Sequence, residues 1–231
     1  MVRRLGIIIL IFIAIISYRS AEAQQVRGAV IGGINLAQVD GDEIFGFNKF
    51  GGNLGLGAVV PIGNNLNFSI ETIFSQKGSY QSAQYNDVDS LGNVTTGAYN
   101  LSLNYLEVPF LLFYNDKNVI SGGAGFSYAR LVGIKEYEHG SKIETTTLNT
   151  GPYDKNDFSI LADVRFRMYK RFMFNIRYAY SLAKIRTREF EDLLGNTWER
   201  KQYNNTISFR VIYMFNEKPP MADSKNNNSG F

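Results

Sequence analysis

From residue 26 onward, apolar and polar positions alternate along most of the chain. Phe68, Ile70, Thr72 and Phe74 interleave with Asn67, Ser69, Glu71 and Ile73. Later, Phe172, Phe174, Ile176, Tyr178 and Tyr180 interleave with Met173, Asn175, Arg177 and Ala179. Successive side chains of a strand point to opposite faces, so a period of two gives each strand one apolar and one polar face. The pattern predicts strands near 26–38, 50–62, 65–80, 98–114, 118–133, 157–168, 172–187 and 203–215. Tight turns separate them at Gly63-Asn64-Asn65, Asn115-Asp116-Lys117 and Tyr169-Lys170-Arg171. Long polar segments lie near 39–49, 81–97, 134–156 and 188–202. Short turns at one end and long loops at the other are the pattern of an outer-membrane barrel.

Which face points outward follows from volume. The apolar face carries Phe68, Phe74, Phe110, Phe126, Phe166, Phe172, Phe174, Tyr178, Phe209 and Phe215, with Leu54, Leu56, Val60, Ile160 and Val211. An eight-stranded interior is only just wide enough for its own side chains, and these rings would overfill it. The other face offers Gly33, Gly55, Gly57, Gly123 and Gly125 with Asn35, Asn53, Ser69 and Ser127, which suit a narrow polar lumen. The expected fold is therefore all-β, an eight-stranded antiparallel up-and-down transmembrane β-barrel. A soluble barrel with its apolar face inward is the weaker reading.

The N-terminus changes the picture by supplying an export route. Arg3 and Arg4 precede an apolar run from Leu5 to Ile16, and Ala21-Glu22-Ala23 forms a small-x-small cleavage site. That run is shorter than the roughly 20 residues of a spanning helix, so residues 1–23 read as a cleaved signal peptide. The expected organisation is signal peptide 1–23, barrel domain 24–216 and a disordered periplasmic tail 217–231, whose Pro, Asn, Ser and Lys content lacks apolar residues to pack. No cysteine is present, so disulfides and a lipidated cysteine are excluded. Losing Arg3, Arg4, Arg19 and Glu22 with the leader takes the formal charge from +3 to +1, a balance that gives no support to nucleic-acid binding.

Candidate chemistry concentrates on the polar face. Glu71, Lys77, Glu107, Asp163, Arg165, Arg167, Arg177 and Arg210 form a candidate lumen charge network. Charges sharing one small lumen should pair, because an isolated buried ion is prohibitively costly. The set reads either as an ion path or as a salt-bridged plug, and the narrow bore favours the plug. Cations outnumber anions in it, which leaves room for a trapped anion. His139, Ser141 and Glu144 could in principle arrange as base, nucleophile and orienting carboxylate of an esterase. They lie in a charged loop with Gly140 between them, so a solvated loop is the stronger expectation and no catalytic residue is assigned. One histidine and no cysteine cannot build a metal-ligand cluster, and no cofactor is expected. The loop aromatics Tyr85, Tyr137, Tyr153 and Trp198 could form an outer binding surface or fold the loops onto one another.

Five stretches carry a family resemblance: Gly28–Asp42 (GAVIGGINLAQVDGD), Pro61–Gly78 (PIGNNLNFSIETIFSQKG), Asn104–Tyr114 (NYLEVPFLLFY), Gly122–Val132 (GGAGFSYARLV) and Arg177–Ile185 (RYAYSLAKI). Together they resemble the PorT-like outer-membrane β-barrel proteins over nearly the whole mature chain. The Tyr-Leu-Glu-Val-Pro segment is the most specific. Pro109 in a strand removes a ladder donor and is expected to mark a bulge, with Glu107 turned to the lumen. The resemblance implies an eight-stranded barrel in the outer membrane with no catalytic residues to carry over, and its namesake contributes to protein export. The expected function is a non-enzymatic integral outer-membrane protein with a structural or interaction role. Its expected partners are outer-membrane lipid and other envelope proteins. A lipid-acting hydrolase and a narrow solute or ion pore remain the alternatives.

Overall fold

Stretches that alternate in side-chain polarity leave their backbone groups to be satisfied by neighbours, and in a membrane only a closed ring of strands does this without an edge. In the computed structural model, which describes residues 26–88, 92, 94–117, 119–191 and 195–216, the chain takes this course. The expected signal peptide and tail lie outside the described residues.

Among the described residues there are twelve strands: β1 (Arg27–Asp40), β2 (Lys49–Pro61), β3 (Leu66–Gln81), β4 (Asp87–Val88), β5 (Val94–Thr95), β6 (Tyr99–Asp116), β7 (Ile120–Glu138), β8 (Ser141–Lys142), β9 (Asn156–Tyr169), β10 (Phe172–Ser181), β11 (Arg186–Glu191) and β12 (Thr197–Met214). Eight of them form the barrel, in the order β1-β2-β3-β6-β7-β9-β10-β12, and β1 closes on β12 from Ala29↔Met214 to Asp40↔Tyr203. Every barrel pairing is antiparallel, which gives an up-and-down, eight-stranded β-barrel. The remaining four strands belong to the loops.

Outward positions on the barrel strands are apolar. Leu54 and Leu56 are each 64% exposed and Phe126 is 60% exposed, while Phe74, Ile160 and Val211 are also uncovered. Cross-strand rings knit this face together: Phe110 and Phe126 stand opposite each other with centroids 5.4 Å apart, and Phe174 and Phe209 are 6.4 Å apart. A spanning strand needs about 9–11 residues. β6, β7 and β12, with 18, 19 and 18 residues, therefore project well beyond the membrane on the long-loop side. At the other end the turns are tight. Ile62 N–H donates to Leu66 O at 2.9 Å and Val119 N–H to Asp116 O at 3.0 Å, with Lys117 and Lys170 in left-handed conformation.

Three local expectations change. The stretch read as one strand over 172–187 ends at Ser181. The chain turns there, and Arg186–Glu191 pairs with Thr197–Gln202 as a hairpin standing above the barrel. Its charge-rich residues carry no apolar period, so alternation could not reveal it. Pro109 marks no bulge against β3. That ladder skips Glu71-Thr72 and Val108-Pro109 and resumes in unchanged register, so the missing N–H leaves only a local gap. The irregularity instead lies between Asn104 and Tyr105 against β7.

The interior is also less polar than expected. Ala29, Ile31, Val59, Ile73, Met173, Ile212 and Met214 cluster inside near the tight turns. A second cluster (Val39, Tyr99, Leu101, Leu103, Tyr105, Leu131 and Ile185 among its members) lies at the long-loop end. A packed lumen excludes water, so inward apolar residues are stabilising there rather than a liability.

The paired glycines divide their work by face. A Cβ on Gly33 would lie 2.2 Å from Phe209 O and 3.0 Å from Arg210 Cγ, whereas Gly32 and Gly122 on the opposite face have room. Inward glycines free the space that long charged side chains then fill.

Candidate functional site

β3, β9, β10 and β12 each present an inward charged residue at about the same depth, two to three turns of the pleat from the tight-turn end. Glu71 is the hub. Its Oε1 accepts from Arg165 Nη2 at 2.7 Å and Arg177 Nη2 at 3.0 Å; its Oε2 lies 2.9 Å from Arg177 Nη1 and 3.1 Å from Arg210 Nη1. Asp163 Oδ2 accepts from Arg177 Nε at 2.7 Å and Arg210 Nη2 at 3.1 Å. Asn175 donates to Asp163 and accepts from Arg210 Nε at 2.6 Å, which closes the ring. All six residues are buried, Arg210 at 1% exposure. Bidentate guanidinium–carboxylate pairing of this kind fixes both distance and angle, so the tier also pins the register of four strands.

A second tier lies one level towards the long loops. Lys77 Nζ stands 3.4 Å from Glu107 Oε2 and 3.7 Å from Asp157 Oδ2, over the ring of Tyr105. Asn204 Nδ2 donates to Asp157 Oδ2 at 2.9 Å and to Tyr105 Oη at 3.2 Å, and Ser181 donates to Asp157. Lys77, Glu107 and Asp157 are buried. The first tier sets three arginines against two carboxylates, and the second sets one lysine against two. The lumen is thus balanced as a whole but graded along its axis, with its cationic surplus towards the tight turns.

The outer mouth is closed by loops. Glu136, on the projecting end of β7, accepts from Tyr99 Oη at 2.7 Å, Thr146 Oγ1 at 2.6 Å and Arg186 Nη1 at 2.8 Å. Arg186 Nη1 also donates to Tyr153 Oη at 2.6 Å. Burial pushes the Glu136 carboxyl up, but the hydrogen bonds from Thr146 and Tyr99 and the Arg186 charge outweigh it and hold the group below the ordinary glutamate range. Burial likewise pushes the Tyr153 phenol up, to about 12. Tyr153 and Ile185 are buried in the apolar cluster beneath, so the segment 143–155 and the start of β11 act as a lid.

Seven of the eight expected lumen residues are divided between the two tiers. The eighth, Arg167, is elsewhere: near the end of β9 it is half-buried at the tight-turn mouth, where its Nη1 donates to Lys170 O at 2.6 Å. The inward parity of Asp163 and Arg165 continues to it, but it is too close to the strand end to reach the tier. Asp157 and Asn175 were missed. Both sit at inward parity on strands already recognised, so completing the parity count would have found them.

His139 does not meet Ser141. Its Nδ1 accepts the backbone N–H groups of Thr96 and Gly97, each at 3.2 Å, while Glu144 pairs with Lys142 at 2.7 Å. The loop aromatics divide: Tyr153 is buried in the lid, Trp198 stacks on Phe190 at 6.1 Å, and Tyr85 is exposed. On the outer face of the wall, Ile44, Phe45, Phe47, Phe50 and Tyr80 border a hollow, with Phe45 90% exposed. Among the described residues, no group of three His, Cys, Asp or Glu side chains could hold a metal ion.

The profile described as outer membrane protein beta-barrel domain matches residues 22–186. Among solved structures the chain is similar to Ail, the attachment invasion locus protein of Yersinia pestis, at 15% identity and a TM-score of 0.46, covering 83% of this chain and 99% of that one. It is similar to Neisserial surface protein A at 11% identity and a TM-score of 0.43, covering 82% and 96%. It is also similar to OprG of Pseudomonas aeruginosa at 11% identity and a TM-score of 0.39, covering 82% and 96%. No curated protein sequence matches the chain.

Proposed function

Because the chain belongs to the outer membrane protein beta-barrel domain family and is an outer-membrane β-barrel embedded in lipid, we propose that it is a closed, non-conducting barrel that works by contact rather than by transport or catalysis. The observation that carries this reading is the pair of buried ion tiers. Glu71, Asp163, Arg165, Arg177 and Arg210 at one level, and Lys77, Glu107 and Asp157 at the next, fill the bore with side chains bonded to each other. An ion path needs groups that exchange partners with the passing ion. Here each charged group is already engaged, and breaking a buried pair costs about 3–5 kcal/mol.

The contact surfaces are then the two ends. The outer end offers the hairpin of β11 and β12 and the exposed aromatics around Phe45. The periplasmic end offers the tight turns. An accessory role in a protein-export assembly, which the PorT-like resemblance implies, would use that periplasmic end. The engagement of His139 Nδ1 by loop amides supports a structural use of that residue over a hydrolytic one.

The test is planar-bilayer recording of the purified protein. Silence is expected, with current appearing when Glu71→Gln and Asp163→Asn are combined. Discrete steps from the unaltered protein would overturn the closed-barrel reading in favour of a pore. Gentle extraction from outer membranes then tells contact with a large partner from a protein that runs alone.

A further inference from the structure

On one side of the barrel the lipid face runs without a break into the long loops. Ile34, Leu54 and Phe50 are exposed outward on β1 and β2, and Leu36 is paired with Phe50. A spanning strand uses about 9–11 residues. Leu36 and Phe50 lie about that far along their strands from the tight-turn side, which β1 enters at Arg27 and β2 leaves at Pro61. They therefore stand at the membrane interface on the long-loop side. There they border the hollow completed by Ile44, Phe45, Phe47 and Tyr80, which holds about 800 Å³. Sites for small, mostly apolar ligands span about 300–1,000 Å³. Only Glu43 among the lining residues is charged.

The loop that overhangs the hollow is tied into shape by its own hydrogen bonds. Ile44 N–H donates to Asp42 Oδ1 at 2.9 Å, Asn48 N–H to Gly46 O at 2.9 Å and Asn48 Nδ2 to Phe45 O at 3.1 Å. Gly41, Glu43 and Gly46 turn it with φ of 87°, 67° and 98°. A loop held in this way presents Phe45 and Phe47 by construction, and a contiguous apolar patch of this kind marks a docking surface. β2 runs to Lys49 and β3 to Gln81, yet their ladder stops at Asn53↔Ser75, and Phe50 and Tyr80 line the hollow from its two sides. A Cβ on the outward Gly52, between Phe50 and Leu54, would meet nothing within 4 Å among the described residues. A furrow thus leads from the hollow down the lipid face. The polar lining, Gln81, Ser82 and Gln84, follows the end of β3 and so lies farther from the bilayer centre than Leu36 and Phe50.

We propose that this hollow holds one acyl chain of a membrane lipid from the leaflet on the long-loop side, with the lipid's headgroup over Gln81, Ser82 and Gln84. Continuity decides the occupant: the lower edge of the hollow is the lipid face itself, so hydrocarbon enters it by the furrow, and the order of apolar floor and amide-rich rim is the order of chain and headgroup in a lipid. This builds on the contact role of the aromatics around Phe45 and names lipid as what they touch. It does not depend on whether the bore conducts, so current in planar bilayers would sink the closed barrel and leave the lipid site standing.

The experiment uses the full chain in phosphatidylcholine bilayers and has two readouts. Trp198, the one tryptophan of the chain, stands on the hairpin above the barrel. Its quenching by phosphatidylcholine brominated on the acyl carbons near the headgroup is compared with that of Phe45→Trp in a Trp198→Phe chain. An interfacial aromatic reaches about 5–10 Å into the acyl boundary, so the reporter at 45 is expected to be quenched about twice as strongly as Trp198. Native mass spectrometry of protein released from phosphatidylcholine nanodiscs then counts retained lipid. One lipid is expected on the unaltered chain and none on Phe45→Asn combined with Phe47→Asn, which leaves every barrel strand unaltered. Quenching at 45 without a retained lipid overturns the site in favour of a loop that dips into bulk lipid. A retained lipid that survives the double variant overturns it by placing that lipid elsewhere. Quenching at 45 no stronger than at 198 overturns it in favour of a water-filled hollow. A released mass of two chains, lost in the double variant, overturns it in favour of a second copy as the occupant.

Discussion

The lumen is closed at two heights by different means. Towards the tight turns, closure is made by strand residues alone: Glu71, Asp163, Arg165, Arg177 and Arg210 come from four barrel strands whose positions the hydrogen-bond ladders fix. At the outer mouth, closure needs Thr146, Tyr153 and Arg186 from loops to meet Glu136 and Tyr99 on projecting strand ends. The first closure can open only if the barrel comes apart. The second can open by loop movement while the barrel stays whole, because local stability follows the contacts of the segment and not of the whole fold. One barrel thus contains a permanent plug and a removable lid.

The largest expected effect lies in the plug. Glu71→Gln leaves three buried arginines facing one carboxylate and should destabilise the barrel by about 3–5 kcal/mol, read as a lower urea midpoint for unfolding in lipid. Replacing Glu71 and Arg210 together by apolar residues of similar size should recover much of that loss, since the pair rather than either charge is what the interior tolerates. Equal losses in the single and double variants would show that the plug is not an electrostatic unit.

In the lid, Glu136→Gln should cost about 1–3 kcal/mol, the usual penalty for spoiling a buried charged hydrogen-bond acceptor. That loss should stay local. Proteolysis or hydrogen exchange within 143–155 is expected to speed up by roughly fivefold to a hundredfold, since each 1.4 kcal/mol is a factor of ten, while the urea midpoint of the barrel does not move. A barrel midpoint that falls in step with the lid would erase the contrast between the two closures.

Acid gives a smaller and reversible version of that test. The Glu136 carboxyl is held below its ordinary value of 4.5 in the closed lid. A group with a lowered folded value contributes stability above its unfolded value and loses it as pH falls through the lowered one. Lid exchange, corrected for its intrinsic rate, should therefore be flat from pH 8 to about 5 and rise only at more acid pH. Glu136→Gln should remove that acid limb.

The two closures were also unequally legible in the sequence. Strict alternation on β3, β9 and β10 placed Glu71, Arg165 and Arg177 on one face, and a barrel converts one face into one shared space. β6 defeats the same reasoning, because Leu101, Leu103, Leu111 and Phe113 are apolar on the inward side while Leu106 and Leu112 are apolar on the outward side. Alternation then carries no sign. The lid was illegible for a different reason. Glu136 meets Thr146 ten residues on and Arg186 fifty residues on through loops whose paths no period encodes. Arg167 shows the limit of parity from the other side: it has the right face and the wrong height.

The smallest effect concerns the loop beside the lid and separates two uses of one residue. His139 has a φ of 53° and accepts two backbone N–H groups from residues 96 and 97 at 3.2 Å each. A left-handed backbone is uncommon for any residue with a Cβ, although histidine, like asparagine and aspartate, is found there more often than most, so the position holds at most modest strain. His139→Ala loses the acceptor and keeps the strain; His139→Gly loses the acceptor and relieves the strain. If the imidazole serves to tie the loop, both variants should loosen residues 82–98 to proteolysis by several-fold, with alanine worse by about 1 kcal/mol or less, the ordinary cost of a left-handed residue with a Cβ. Neither should alter the lid at Glu136, because the imidazole ties the amides of residues 96 and 97 whereas Glu136 is held by Tyr99, Thr146 and Arg186. If instead His139→Gly loosens 143–155 as much as 82–98, the two loops form one cooperative cap, and the lid of the comparison extends across the whole outer mouth.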